Sequence, residues 1–86
     1  MKEYKIRSLE GKHVLSTIMF LGEYGAAAKT TIYENVSKNP RMPDKLEDLE
    51  RAGLVAIQGG YPSRVELTPK GREVYEFLLE TEKRLN

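Results

Sequence analysis

Lys45-Leu46-Glu47-Asp48-Leu49-Glu50-Arg51-Ala52-Gly53-Leu54-Val55, followed twelve residues on by Leu67-Thr68-Pro69-Lys70-Gly71-Arg72, decides how this chain folds. Leu46 and Leu49 recur at helical spacing, and Gly53 stands where a left-handed helix stop favours a residue without Cβ. Leu54, Val55 and Ile57 then begin an extended apolar run. Gly59-Gly60 breaks it, and Val65 and Leu67 resume it with alternating polarity. Thr68-Pro69 is a cap followed by a proline, which loses no hydrogen bond at a first helical position. The order is helix, strand, tight turn, strand, helix.

Upstream, Leu9, Val14, Leu15, Ile18 and Leu21 predict a first helix from about Leu9 to Leu21, stopping near Gly22 or Gly25, with Gly11 weakening its first turn. Ala26-Ala27-Ala28-Lys29 reads as a brief strand or, equally, a loop, since alanine is a poor strand former. Thr31-Ile32-Tyr33-Glu34 matches a capping box, so a second helix is expected to start there and run to about Ser37, burying Ile32, Tyr33 and Val36. The third helix starts either with Asn39 as cap and Pro40 first, or with Pro43 first, and ends at Ala52. The last helix, about 68–85, carries Val74, Tyr75, Leu78 and Leu85 on one stripe with Phe77 and Leu79 beside it. That apolar arc is wider than one core contact requires.

The expected fold class is mainly α with a small β-hairpin (α+β). Specifically, it is a winged helix-turn-helix with a three-helix core, a wing and a C-terminal helix, as one domain over residues 1–86. The helix-turn-helix falls at about 30–52 and the wing at about 54–67. A chain of this size buries only about 60–65% of its unfolded surface, which favours a partner subunit. It has no cysteine, so disulfides, thiolate catalysis and thiolate metal sites are excluded. No apolar run approaches the roughly 18 residues needed to span a bilayer, and no signal-type segment follows Met1-Lys2-Glu3-Tyr4-Lys5; a cytoplasmic protein with no membrane partner is expected. The formal net charge of +1 is too small to advertise nucleic-acid binding, so a basic surface must come from segregation. Lys29, Lys38, Arg41 and Lys45 gather at one end, whereas Glu47, Asp48, Glu50, Glu73, Glu76, Glu80 and Glu82 crowd elsewhere.

A leading helix, then Lys29-Thr30-Thr31-Ile32-Tyr33, then the two stretches quoted first, resembles the compact winged-helix transcriptional regulators of the MarR and PadR type, especially the small ones of archaea and their viruses. The resemblance covers roughly residues 9 to 80. It implies a DNA-binding regulatory role, with double-stranded DNA and a second copy of the chain as partners. Two departures stand out. Pro40, Met42, Pro43 and Asp44 occupy the start of the recognition helix where such regulators usually carry small polar residues, and the wing, Gly59 to Ser63, holds no Lys or Arg before Arg64. The extra helices that larger relatives use for dimerisation are missing, so a homodimer must use the first and last helices.

The candidate DNA-contacting residues are Lys29, Thr30, Thr31, Lys38, Asn39, Arg41, Lys45, Ser63 and Arg64. In a helix-turn-helix the first helix crosses the backbone and the second enters the major groove, while a hairpin lies along a neighbouring groove. Arg41 and Lys45, four residues apart, are expected on one helical face. The plain alternative for any single cation is a solvated surface. Thr30 and Thr31 read chiefly as caps, although hydroxyls at a helix start also suit phosphate. Tyr61 is either packed back on a strand, the expected case, or offered to a partner. The candidate dimer residues are Tyr4, Ile6, Phe77, Leu78 and Leu79, with two-fold pairing covering one patch with its mate.

Chemistry finds little support. His13 is the only histidine and reads as a surface or capping residue, so a metal site would rest on carboxylates alone. Ser8, Ser16, Ser37 and Ser63 lack a histidine at suggestive spacing and a nucleophile elbow, and no phosphate-binding glycine loop occurs. No enzyme activity, catalytic residue, metal or cofactor is expected. Beside the DNA-binding regulator stands a second class, a winged-helix module that binds protein within a transcription or other assembly.

Overall fold

The computed structural model describes residues 3–85. Met1 and Lys2, which open the stretch read for a leader, lie outside the described residues, as does Asn86. A 3-10 turn (Lys5–Leu9) leads into α1 (Val14–Tyr24), β1 (Ala27–Ala28), α2 (Lys29–Asn35), α3 (Met42–Arg51), β2 (Val55–Gln58), β3 (Arg64–Leu67) and α4 (Pro69–Arg84). Among the described residues the fold is α+β, with four α-helices and a three-stranded antiparallel sheet in the order β1-β3-β2. That order of elements is compatible with a winged-helix-like arrangement.

The junction between α3 and α4 shows why the two deciding stretches have their residues. Gly53 takes φ +79°, and Leu54 N donates to Leu49 O (3.0 Å) while Gly53 N donates to Glu50 O (2.9 Å), a full Schellman stop. Two further carbonyls are claimed from the start of α4: Lys70 Nζ donates to Ala52 O (2.9 Å), and Thr68 Oγ1 donates to Gly53 O (2.6 Å) while accepting from Gly71 N (3.0 Å). Thr68 N donates to Leu54 O at 3.0 Å. Gly71 is buried against that same peptide: a Cβ there would overlap the Leu54 oxygen and lie 2.9 Å from its carbonyl carbon. Each residue of Thr68-Pro69-Lys70-Gly71 therefore serves one helix end or the other.

Elsewhere the boundaries move. The first helix does not run from Leu9: Leu9 closes the 3-10 turn, and His13, at φ +69°, breaks the chain before α1 begins at Val14. His13 sits at the N-cap without a side-chain cap bond, although its carbonyl accepts from Thr17 Oγ1 (2.7 Å), which satisfies a buried hydroxyl. Gly25, at φ +80°, ends α1, whereas Gly22 stays inside it, where the Tyr75 ring fills the space a Cβ would need. Ala27–Ala28 does form the brief strand, pairing with Val65 and Arg64.

The capping box at Thr31–Glu34 is not formed. Ala28 is the N-cap of α2, and Lys29 N, freed at the helix start, donates across to Ser63 O (3.0 Å), so a tertiary bond sets the boundary two residues earlier. The helix ends at Asn35, with Val36 as its C-cap. Asn39 caps no helix either; its Oδ1 accepts from Arg41 N (2.8 Å) in a turn, and α3 starts at Met42 with Pro43 in its first positions.

The core joins Val14, Ile18 and Leu21 of α1, Ile32 of α2, Met42, Leu46 and Leu49 of α3, and Leu54, Val55, Val65 and Leu67 of the hairpin and its approaches. Burying each of the larger side chains contributes about 1.5–3 kcal/mol. Tyr33, Val36, Val74, Tyr75 and Leu78 are only partly buried against this cluster. The expected stripe on α4 shortens at its end, where Leu85 is 78% exposed because nothing of the core extends that far.

Candidate nucleic-acid interface

Five of the candidate residues lie where α2 starts, Lys29, Thr30 and Thr31 on the helix and Ser63 and Arg64 beside it. Besides the Lys29 N to Ser63 O bond, Arg64 Nη2 donates to Ala26 O (3.3 Å), and Arg64 shares an open hollow of about 430 Å³ with Phe20, Tyr24, Ala28, Thr31 and Asn35. The base of the β2–β3 hairpin is thereby fastened to the first turn of α2. Lys29, Thr31 and Ser63 are half-buried, and Thr30 and Arg64 are exposed. Neither threonine caps the helix.

The turn between α2 and α3 carries the second group. Lys38 and Arg41 are exposed, while Asn39 is half-buried, its N accepted by Ser37 Oγ (3.1 Å). Arg41 and Lys45 lie one helical turn apart, Lys45 N donating to Arg41 O (3.1 Å), but they differ in exposure. Arg41 stands before the first turn of α3, and Lys45 is half-buried in a separate cleft lined by Arg7, Ser8, Gly11, Val14, Asp48 and Leu49. Met42, Leu46 and Leu49 face the core, and Lys45 falls on the flank of that stripe, which partly buries it.

Carboxylates dominate the outer face of α3. Asp44, Glu47, Asp48 and Glu50 are all exposed. Asp48 pairs with Arg51, and Glu50 Oε2 accepts from Ile57 N (3.2 Å), satisfying a donor on the edge strand β2. Among the described residues the ion pairs are Arg7 with Glu3, Arg51 with Asp48 and Lys83 with Glu80, so Lys29, Lys38, Arg41, Lys45 and Arg64 have no carboxylate partner. A phosphate approaching α3 meets Arg41 and Lys45 beside Asp44 at its leading end, and the carboxylates of Glu47, Asp48 and Glu50 with the paired Arg51 along the rest.

The hairpin tip departs from expectation. Tyr61 does not pack back on a strand; at 106% relative exposure its ring touches no part of the fold. Five residues, 59–63, separate the strands. The composition of the loop, free of charge but tipped by one large ring, was the available signal.

The candidate dimer residues split across α4. Tyr4, Ile6 and Phe77 are exposed, by 61%, 64% and 76%. Ile6, Leu9, Val74, Phe77 and Leu78 line an apolar groove of about 680 Å³ rimmed by Lys5 and Lys70. Leu79 instead lies on the opposite flank with Met19, Phe20, Val36 and Tyr75. Among the described residues no helix is long and apolar enough to cross a membrane, and no group of three or more His, Cys, Asp or Glu side chains is arranged to hold a metal ion.

No family model matches the chain, and a search of curated proteins returns no match. The resemblance to MarR- and PadR-type regulators accordingly rests on the quoted residues themselves.

Proposed function

We propose that this chain is a winged-helix transcriptional regulator of the MarR/PadR kind that binds double-stranded DNA as a homodimer. In this reading α2 and α3 are the helix-turn-helix and the β2–β3 hairpin is the wing. The observation that carries it is the Lys29 N to Ser63 O bond, which joins the helix pair to the hairpin and sets Lys29 and Arg64 side by side without acid partners. Lys29, Lys38 and Arg64 then serve phosphates, which position the protein, while α3 enters the major groove by its N-terminal end. Arg41 suits guanine and Asp44 can accept from cytosine N4. The acidic remainder of α3 favours this end-on approach over one along the helix.

The homodimer is supported by the groove beside α4. Phe77 is exposed next to it, and Glu73 and Glu80 lie within one turn of Phe77 on either side. Two-fold pairing inserts each Phe77 into the other copy's groove and brings these glutamates to the Lys5 and Lys70 rim. Two recognition helices then stand about 34–36 Å apart, which calls for a palindromic site.

The acidic outer face of α3 also favours a second reading, a winged-helix module that docks a basic protein surface. Selection from a randomised duplex library, followed by titration of the enriched sequence at two salt concentrations, separates the two. A regulator enriches a palindrome and loses affinity steeply with salt, whereas a protein module enriches nothing.

A further inference from the structure

Lys45 is a half-buried cation that nothing in the fold neutralises. No hydrogen bond or ion pair holds its Nζ among the described residues, and the cleft around it contains a second cation, Arg7. The nearby acids are engaged, Asp48 with Arg51 and Glu3 with Arg7 (2.8 Å). The stretch before α1 covers the ammonium: Arg7, Ser8 and Gly11 wall the cleft, and a Cβ on Gly11 would lie 3.7 Å from Lys45 Nζ. That cover is lightly held. No residue of the 3-10 turn is buried, and Leu9 is the one member that packs against the core. The hydrogen bonds of residues 5–10 close inside the segment, from Arg7 N to Tyr4 O (3.0 Å), Glu10 N to Arg7 O (3.0 Å), Ser8 Oγ to Lys5 O (3.2 Å) and Arg7 to Glu3. It joins α1 through Gly11 and the left-handed His13, a backbone conformation that strains a residue with a side chain and recurs at switch regions. Few buried contacts and purely local hydrogen bonds mark a segment that opens ahead of the rest of the fold.

We infer that residues 3–10 form a displaceable strap that sheathes Lys45, an autoinhibitory contact whose release hands Lys45 to a backbone phosphate of the duplex. This rests on the DNA-binding reading and adds a regulated contact to it. With the strap closed, α3 presents Arg41 freely at its leading end; with the strap open, it also presents an ammonium one helical turn further along. The closed cleft offers Lys45 only Arg7 and an Asp48 already committed to Arg51, whereas a phosphate offers a full counter-charge and a charge-assisted hydrogen bond. Opening the strap costs no hydrogen bond to the rest of the fold, only the packing of Leu9.

The test joins amide hydrogen exchange of the free full chain to salt titrations on the duplex enriched by selection. In the parent, the bonded amides of Arg7 and Glu10 should exchange roughly 100-fold faster than those of Leu46 and Leu49 in α3. Leu9→Ser removes the anchor of the strap, so it should raise affinity at low salt and steepen the salt slope by about one unit for each copy bound. Leu9→Ser/Lys45→Ala should return the slope to that of the parent. Arg7 and Glu10 amides as protected as those of α3 overturn the inference without any variant. A Leu9→Ser protein that keeps its helical circular dichroism and binds with the parent's slope overturns it as well, and leaves the DNA-binding reading standing. A parent that binds no duplex at low salt overturns both, which the titration of the parent alone reveals.

Discussion

Gly71→Ala sets helix propensity against packing, and the two give opposite signs. By propensity alone, alanine within the first turns of an exposed helix improves on glycine by up to about 1 kcal/mol. In this fold the added Cβ overlaps the Leu54 carbonyl oxygen and sits 2.9 Å from its carbon and 3.3 Å from its Cα. These are backbone atoms, fixed by the Thr68 N to Leu54 O and Leu54 N to Leu49 O bonds, so relief requires α4 to lift from the end of α3. Overpacking of this kind costs about 1–3 kcal/mol, and disturbing the Thr68 cap adds about 1 kcal/mol. After the propensity gain, a net destabilisation of about 1–3 kcal/mol remains. For a domain of this size that lowers the melting temperature by roughly 5–20 °C. Thermal and urea unfolding followed by circular dichroism measure it, with the urea midpoint falling and the slope unchanged. Gly59→Ala is the control, because a Cβ there meets nothing within 4 Å. A Gly71→Ala protein as stable as the parent, or more so, refutes the close approach of α4 to Leu54.

Arg64→Ala should weaken duplex binding on all sequences alike and reduce the salt slope by about one unit, with an unchanged slope removing the hairpin base from the interface. Arg41→Ala should relax discrimination at one base pair by about 1–3 kcal/mol, whereas equal losses on selected and random duplex would make it a phosphate contact. Phe77→Glu should convert a dimer to a 9.8 kDa monomer in light scattering with its helical circular dichroism retained; a mass that does not change places the interface elsewhere. Burial holds the Tyr33 hydroxyl above its ordinary value of 10.0, so the unfolded chain ionises first and stability falls as pH rises past that point. Tyr33→Phe should lose less stability over the same alkaline range, as chemical denaturation at each pH would show.

The α3–hairpin–α4 segment was legible because its local and tertiary demands coincide: Gly53 is a stop by its own backbone, Thr68 is a cap within its own turn, and Val65 and Leu67 alternate as the sheet requires. The start of α1 was not, because Leu9 and Val14 keep apolar spacing across a break that only the left-handed His13 reveals. At α2 a genuine capping-box pattern lost to a longer-range bond, Lys29 N to Ser63 O, which no local motif announces. Periodicity likewise put Leu85 on the core stripe although the core ends before it, and it put Lys45 one turn from Arg41 without showing that Lys45 is half-buried in a cleft with Asp48 and Leu49. Charge segregation was readable in the sequence at the α2–α3 turn, but that Asp44, Glu47, Asp48 and Glu50 are all exposed appears only once the outward face of α3 is known.

The central claim, that the joined helix pair and hairpin grip duplex DNA, is tested most directly by fluorescence anisotropy of the selected duplex titrated with the full chain across a range of salt. With Lys29, Lys38 and Arg64 of two copies on phosphate, the logarithm of affinity should fall against the logarithm of salt with a slope of roughly −5. Failure to bind any duplex at low ionic strength, or binding that does not respond to salt, would contradict the claim.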